Sequence, residues 1–264
     1  MNLETLSHTV SQIAIEAGEK ILAIYNQADF NVDSKSDNSP LTAADLASHH
    51  HIVDSLKQLT PDYPILSEES AQIPFTEREQ WSTYWLVDPL DGTREFIKRN
   101  DQFAILIALI HEHEPVLGVV YAPALQELWL ASLGNGAYKL EGDDLVPIYT
   151  RPLANPPVII GSSSHRDEFM PAFLANVGAH EYQTAGSIIK ACRVAEGGAD
   201  LYPRLGLTSE WDTAAAQIIV NEAGGHVVTT ANEPLLYNTK ESLLNPHFFV
   251  MGSDFHDWSQ YLPK

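Results

Sequence analysis

The strongest chemical signal in the sequence is the segment Trp85-Leu86-Val87-Asp88-Pro89-Leu90-Asp91-Gly92-Thr93, in which an apolar run leads directly into two aspartates and a glycine. Strand ends followed by glycine turns often present catalytic side chains. Two further segments also place carboxylates beside apolar residues, namely Ile65-Leu66-Ser67-Glu68-Glu69-Ser70 and Ser209-Glu210-Trp211-Asp212. The sequence therefore predicts two strand ends and one helix start that carry acidic side chains.

Taken alone, each acidic segment has an ordinary explanation. Asp91-Gly92 suits a turn, Glu68-Glu69 a solvated edge, and Asp212 a favourable charge at a helix start. If the three segments converge, two unit charges about 4 Å apart repel by about 4 kcal/mol at an effective dielectric of about 20. Either some carboxyls then stay protonated or hard cations lie among them. Oxygen ligands without a nearby Cys or helical His pair favour Mg²⁺ over Zn²⁺, and this interpretation predicts a metal-free enzyme with no activity.

Two other acidic motifs do not fit the spacing. An EF-hand starting at Asp88 needs oxygen side chains near loop positions 3 and 5 and a Glu at position 12, where this chain has Leu90, Gly92 and Arg99. A phosphatase with a nucleophilic aspartate needs its second carboxylate two positions later, whereas Asp91 follows Asp88 by three. A calcium loop is excluded there, and a covalent aspartyl intermediate is disfavoured.

Charge and composition limit the classes of function. The 264 residues include 15 Lys and Arg against 35 Asp and Glu, a formal charge of −20, which argues against a protein that binds nucleic acid polymers. The longest apolar run, residues 103–110, is far shorter than the roughly 18 residues that span a bilayer. The residues at the start of the chain do not predict a secretory signal, and the single cysteine, Cys192, is predicted to be a buried, inert thiol in a reducing cytoplasm.

The pattern of apolar residues predicts an α+β N-terminal half followed by an α/β C-terminal half. Apolar residues at helical spacing predict two helices, the second opened by Thr42 as N-cap. Short apolar runs between turn residues then predict an antiparallel meander over residues 84–87, 102–110, 116–121 and 127–131. Strands over 158–161, 200–202 and 226–230 alternate with helices over 168–177, over 188–196 and from 211. The proline-rich segment 149–157 is the predicted boundary between domains 1–150 and 151–264.

Three other polar segments are predicted to be solvated. His49-His50-His51 and His111-Glu112-His113 show no helical i, i+4 histidine pair, so we expect no metal site there. Glu77-Arg78-Glu79 is interpreted as a solvated loop face, and a mobile flap over residues 74–80 is the alternative.

The three acidic segments together resemble the inositol monophosphatase superfamily of Mg²⁺-dependent, lithium-sensitive phosphatases, and the likeness extends over nearly the whole chain. Further segments resemble its bacterial branch of CysQ-type 3'(2'),5'-bisphosphate nucleotidases: Ser39-Pro40-Leu41-Thr42-Ala43-Ala44-Asp45, Arg94-Glu95-Phe96-Ile97-Lys98-Arg99, Ala195-Glu196-Gly197 and Leu201-Tyr202-Pro203-Arg204. This resemblance implies a layered αβαβα sandwich of the inositol monophosphatase and fructose-1,6-bisphosphatase type.

The resemblance also implies a role for each matching residue. Two Mg²⁺ ions would be held by Glu68, Asp88, Asp91, Asp212 and the backbone carbonyl of Leu90, and a third ion or its waters by Glu69. Asp45 and Thr93 match the family's water-activating pair, so Asp45, Thr93 and Glu69 are the catalytic candidates. The free N–H groups of Gly92 and Thr93 suit phosphate oxygens. Contacts to the adenosine and its 5'-phosphate are implied for His165, Ser187, Lys190 and Arg204, in addition to contacts from Glu68, Leu90, Asp91 and Asp212.

The implied activity is hydrolysis of 3'-phosphoadenosine 5'-phosphate to AMP and phosphate, in sulfur assimilation, with 3'-phosphoadenylyl sulfate as a second substrate to consider. The alternatives are an inositol-1-phosphate or sugar-phosphate phosphatase of the same superfamily, and a cation-dependent binding protein without catalysis. We expect a small nucleotide as the ligand and a cytoplasmic enzyme, either free or attached peripherally to the inner membrane. The sequence does not indicate an oligomeric state.

Overall fold

The computed structural model describes residues 2–27, 40–162 and 168–263. It opens with two long helices, α1 (Leu3–Tyr25) and α2 (Pro40–Leu59). Asn2 caps α1 by accepting a hydrogen bond from the Glu4 backbone N–H at 2.9 Å. The prediction of Thr42 as N-cap of α2 was wrong, because the helix already begins at Pro40. A proline suits the first helical turn, whose N–H groups have no partner within the helix.

The first sheet has seven strands in sequence order. Its strands are β1 (Ile65–Ser67), β2 (Thr83–Asp91), β3 (Ala104–His111), β4 (Glu114–Ala122), β5 (Glu127–Ser132), β6 (Ala137–Glu141) and β7 (Asp144–Pro147). β1 pairs with β2 in parallel, and every later neighbour is antiparallel. The predicted meander is confirmed as β2 to β5, while β6 and β7 were not predicted.

The second sheet has five strands and adds the remaining elements. Its strands are β8 (Val158–Ser162), β9 (Glu181–Ala185), β10 (Leu201–Arg204), β11 (His226–Thr229) and β12 (Phe248–Met251), in the order β11-β12-β10-β8-β9. The other helices are α3 (Phe75–Arg78), α4 (Thr93–Lys98), α5 (Met170–Val177), α6 (Ile189–Ala195) and α7 (Ala214–Glu222). β9 and β12 were not predicted.

The elements stack in alternating layers because successive side chains of each buried strand point to opposite faces. One face of the first sheet packs against α1 and α2, with Trp85, Val87 and Ile107 in that core. The other face packs against α7, and α6 lies beside α7 and contacts the second sheet, so the two helices form one middle layer. The far face of the second sheet is covered by α5 and the short 3₁₀ helix Trp258–Tyr261. The αβαβα sandwich is therefore confirmed.

The contact between β4 and α7 is very close. Gly118 in β4 lies directly below α7, and a Cβ atom at this position would overlap the carbonyl oxygen of Ala215. The absence of a side chain at Gly118 thus lets the middle helix layer approach the first sheet.

The chain between the two sheets, residues 148–157, contains the predicted domain boundary, which stays a prediction. Within the described parts of the chain, no helix combines the length and apolarity needed to cross a bilayer. The cytoplasmic location and the peripheral membrane attachment also stay predictions.

Candidate active site

The site begins where β2 ends. The pairing of β2 with β3 shifts between Asp88 and Asp91, which lets this stretch leave the regular ladder. Asp88 folds back and accepts a hydrogen bond from the Leu90 backbone N–H at 3.0 Å. Gly92 then takes a left-handed conformation with φ of 90° and forms the N-cap of α4. Glycine adopts this conformation without strain, so the motif turns sharply into α4 with both aspartates at the turn.

Two further elements bring carboxylates to the same place. Because β1 runs parallel to β2 with Ser67 beside Val87, the carboxyl ends of both strands coincide and Glu68 follows at the end of β1. Asp212 ends a short 3₁₀ helix, Glu210–Asp212, where it accepts a hydrogen bond from the Ser209 backbone N–H at 2.8 Å.

These side chains share one cavity of about 230 Å³. Its acidic lining consists of Glu68, Asp88, Asp91, Glu95 and Asp212. Burial raises the pKa of Asp88 well above its ordinary value, and the nearby Asp91, Glu68, Asp212 and Asp45 raise it further. Asp212 has its pKa raised to about 8 by burial and then by Asp91. The structure thus gathers the four predicted acidic ligands into one mutually repelling group.

Asp45 joins this group from α2. Burial and the neighbouring Glu69 and Glu68 raise the pKa of Asp45 to about 8, and its Oδ1 atom has no hydrogen-bond partner among the described residues. The implied partner Thr93 is exposed at the start of α4 and is not bonded to Asp45 Oδ1. The Asp45 side chain interacts instead with Glu69.

The donor set suits a hard divalent cation. It consists of carboxylate oxygens, including the unpartnered and buried Asp45 Oδ1, which is the ligand type that Mg²⁺ prefers. Among residues 2–27, 40–162 and 168–263, no three acidic, histidine or cysteine side chains already enclose a single point. Side-chain rotations would therefore close the ligands around an ion.

Asp91 also connects the two sheets. Its Oδ2 atom accepts a short hydrogen bond from Ser187 Oγ and another from the Ile188 backbone N–H at 2.7 Å. These donors lie between β9 and α6, so the second half of the chain orients a carboxylate of the first half.

Two basic side chains that were predicted to contact the nucleotide, Lys190 and Arg204, line the cavity. Lys190 is 4% exposed, and its Nζ donates to the carbonyl oxygens of Ser187 and, at 3.4 Å, Ala185. Burial lowers the pKa of Lys190 to about 8, although Asp91 opposes this shift. Arg204 lines the same cavity, and one of its terminal nitrogens donates to the Leu207 carbonyl at 2.8 Å. The predicted contact His165 lies outside the described residues.

The cavity also contains residues that sequence reasoning missed. They are Arg94, Glu95, Ile188, Tyr202, Leu207 and Thr208. Glu95 is the most unusual of them, because it is 1% exposed and its Oε1 atom has no hydrogen-bond partner among the described residues. Its position one helical turn after Asp91 is the signal that could have revealed it.

Arg78 was wrongly predicted as part of a solvated loop face, since it is 2% exposed. Its guanidinium donates to Asn238 Oδ1 at 2.6 Å and to the carbonyl oxygens of Ile73, Lys240 and Glu241. The Asn238 backbone N–H in turn donates to Glu210 at 2.8 Å, two residues before Asp212. Arg78 therefore ties the segment after Glu68 to the segment that carries Asp212.

One of the three consecutive histidines faces the core, the most that a helix was expected to allow. His49 is buried at 9% exposure and shares a 2.9 Å hydrogen bond with Ser67 Oγ, so it fixes α2 against the end of β1. Cys192 is fully buried, and burial raises the pKa of its thiol, as expected for an inert cysteine.

Comparison with known proteins gives a consistent result. The model of the inositol monophosphatase family matches residues 2–255. A 3'(2'),5'-bisphosphate nucleotidase CysQ of Escherichia coli is 48% identical over 242 residues, which cover 91% of this chain and 97% of the relative. The CysQ of Haemophilus influenzae is 37% identical over 97% of this chain and 96% of its own length.

Solved structures agree in fold. CysQ from Bacteroides thetaiotaomicron, described as a bacterial member of the inositol monophosphatase family, superposes with a TM-score of 0.85 at 40% identity, over 95% of this chain and 98% of the other. An inositol monophosphatase from Anabaena superposes with a TM-score of 0.80 at 24% identity, over 100% of this chain and 98% of the other, which supports the fold alone.

Proposed function

This chain belongs to the inositol monophosphatase family, and we propose that it is a Mg²⁺-dependent phosphatase that hydrolyses 3'-phosphoadenosine 5'-phosphate to AMP and phosphate. The observation that carries the proposal is the convergence of Glu68, Asp88, Asp91 and Asp212 on one cavity. The choice of substrate rests on the name of the relatives, 3'(2'),5'-bisphosphate nucleotidase, at 48% identity.

The family is generally Mg²⁺-dependent, and the oxygen-rich lining fits that ion. We propose two ions, held by these four carboxylates and by the backbone carbonyl of Leu90, and a weaker third ion at Glu69. When bound, Mg²⁺ would activate the attacking water and neutralise charge on the transferred phosphoryl and leaving oxygens.

The protein's own groups orient the reactants. The backbone N–H groups of Gly92 and Thr93, at the start of α4, are the proposed donors to oxygens of the 3'-phosphate. Thr93 lines the cavity, and Asp45 lies near Glu68 and Glu69. A rotation that brings the Thr93 hydroxyl to the unpartnered Asp45 Oδ1 would satisfy that buried acceptor and orient Thr93 to accept a proton from water.

We propose that the rest of the nucleotide lies along the part of the cavity lined by residues from the second half of the chain. Arg204 is suited to the 5'-phosphate because guanidinium donors pair well with phosphate oxygens. Lys190 holds the backbone of Ser187, which hydrogen-bonds Asp91, so it supports the site and adds a positive charge at the wall. His165 and Ser187 remain proposed contacts to the nucleoside.

A substrate panel tests the function. Purified protein should release phosphate from 3'-phosphoadenosine 5'-phosphate with Mg²⁺, lose that activity in EDTA, and be inhibited by Li⁺. Inositol 1-phosphate and 3'-phosphoadenylyl sulfate form the comparison arms. A higher kcat/KM for inositol 1-phosphate would replace the proposed substrate, and binding of the nucleotide without phosphate release in Mg²⁺ would favour the non-catalytic alternative.

A further inference from the structure

Glu95 is a buried carboxylate that neither the proposed metal ligands nor the proposed phosphate contacts use. It is 1% exposed, lines the cavity, and leaves Oε1 without a hydrogen-bond partner among the described residues. A buried acceptor without a partner is unfavourable, and native structures rarely retain one. Because Glu95 lines a candidate ligand cavity, a bound substrate is the natural source of that partner.

Neighbouring residues fix where the Glu95 side chain lies. It belongs to the first turn of α4, two residues after Thr93 and four after Asp91. On the other side, Gly186 is so close that a Cβ atom there would overlap Glu95 Cγ. Lys190 and Asp91 are near enough to interact electrostatically with Glu95. The Glu95 side chain is therefore confined between the turn at Gly92 and Thr93 and the segment of residues 186–188, which hydrogen-bonds Asp91.

The chemistry of a carboxylate limits what it can recognise. An ionised carboxylate only accepts hydrogen bonds, so it repels phosphate and pairs with a donor. A nucleoside 3',5'-bisphosphate offers such a donor beside the scissile group, the 2'-hydroxyl on the adjacent ribose carbon. The amino group of the base lies much farther from the 3'-phosphate, which the proposed function places at Gly92 and Thr93.

We propose that Glu95 accepts a hydrogen bond from the ribose hydroxyl vicinal to the scissile phosphate and thereby selects ribonucleotides over 2'-deoxyribonucleotides. This inference rests on the proposed function. A site with a buried polar group that pairs a substrate hydroxyl rejects the analogue lacking that hydroxyl, because the protein group is then left unpaired. Glu95 is thus a specificity-determining residue.

The test compares 3'-phosphoadenosine 5'-phosphate with 2'-deoxyadenosine 3',5'-bisphosphate in Mg²⁺. A hydrogen bond to a charged group corresponds to a preference of about 10- to 100-fold in kcat/KM for the ribonucleotide in the unmodified enzyme. Glu95→Ala should bring the ratio of the two kcat/KM values to about 1, because effects of the substitution common to both substrates cancel in the ratio. Glu95→Gln keeps an acceptor of the same shape and should give an intermediate ratio, which also covers the case in which Glu95→Ala fails to fold.

The control is Glu141→Ala, which removes an exposed carboxylate at the end of β6, outside the cavity, and should leave the ratio unchanged. If the unmodified enzyme hydrolyses both nucleotides equally, or if the Glu95 variants keep its ratio, the role of Glu95 is refuted while the proposed function stands. If the unmodified enzyme hydrolyses neither nucleotide, the proposed function and this inference are both refuted.

Discussion

Neutralising one acidic ligand should stabilise the metal-free protein at the expense of its activity. Asp212→Asn is the clearest case, because an asparagine can still accept the hydrogen bond that the Ser209 N–H donates at 2.8 Å. The substitution removes the charge and leaves the local cap in place. We expect it to abolish phosphate release, because a proposed Mg²⁺ ligand is lost.

The magnitude follows from the pKa of Asp212, which burial and Asp91 raise from 3.8 to about 8. Between these values the native carboxyl keeps its proton while the unfolded chain has lost it, so native stability falls as the pH rises through this window. At about 1.4 kcal/mol per pH unit, the loss from about pH 5 to about pH 8 is at most about 4 kcal/mol. Coupling to Asp91 and Glu68 spreads this loss over several groups. We therefore expect Asp212→Asn to raise the free energy of unfolding of the metal-free protein by about 2 kcal/mol at about pH 8.

Thermal unfolding in EDTA measures the effect. For a protein of this size, about 2 kcal/mol corresponds to a rise in Tm of roughly 4–8 °C at about pH 8, and the difference should shrink towards about pH 5. The matched control is Asp54→Asn, which removes an exposed carboxylate from α2 away from the cavity and should not change the Tm. If the Tm of Asp212→Asn and of the unmodified protein decline in parallel with pH, the argument from repulsion is wrong.

Three further predictions concern packing and reactivity. Arg78→Ala should lower the free energy of unfolding by about 3–5 kcal/mol in urea titrations, because it leaves Asn238 Oδ1 and the carbonyl oxygens of Lys240 and Glu241 without their donor, whereas the exposed Lys57→Ala should change it by less than about 0.5 kcal/mol. Gly118→Ala should lower it by about 1–3 kcal/mol, because the added methyl group meets the Ala215 carbonyl and pushes α7 off the sheet; unchanged urea stability would contradict this packing. Cys192 should react with a thiol reagent only in urea, since it is buried with a raised pKa, and fast labelling of the native protein would show that the thiol is accessible.

Much of the architecture could be predicted because local sequence patterns decide it. The meander from β2 to β5 consists of long apolar runs with clear turns, and α1 has a continuous apolar stripe. β9 could not be found in the same way, because four of its five residues are exposed and it joins the sheet only through its pairing with β8. β12 follows a long irregular stretch, and its pairing with β10 and β11 comes from distant parts of the chain.

The candidate site shows the same division. Asp88, Asp91 and Gly92 could be predicted because the turn chemistry of consecutive residues specifies them. Arg78 could not, since its burial depends on acceptors about 160 residues later in the chain. The left-handed backbone at Ser187, with φ of 51°, likewise depends on the tertiary contact that its hydroxyl makes with Asp91. Long-range hydrogen bonding, rather than local propensity, decided these positions.

The bonds that Asp91 accepts from Ser187 and Ile188 have a consequence for how the molecule responds to its ligand. A cation held by Asp91 is held by a carboxylate whose orientation depends on both halves of the chain. By thermodynamic reciprocity, any fluctuation that separates residues 187–188 from the end of β2 weakens the affinity for the cation, and the cation suppresses that fluctuation to the same degree. Bound Mg²⁺ would then stabilise the contact between the two halves of the chain. Amide hydrogen exchange at residues 186–190 should therefore slow as the Mg²⁺ concentration rises.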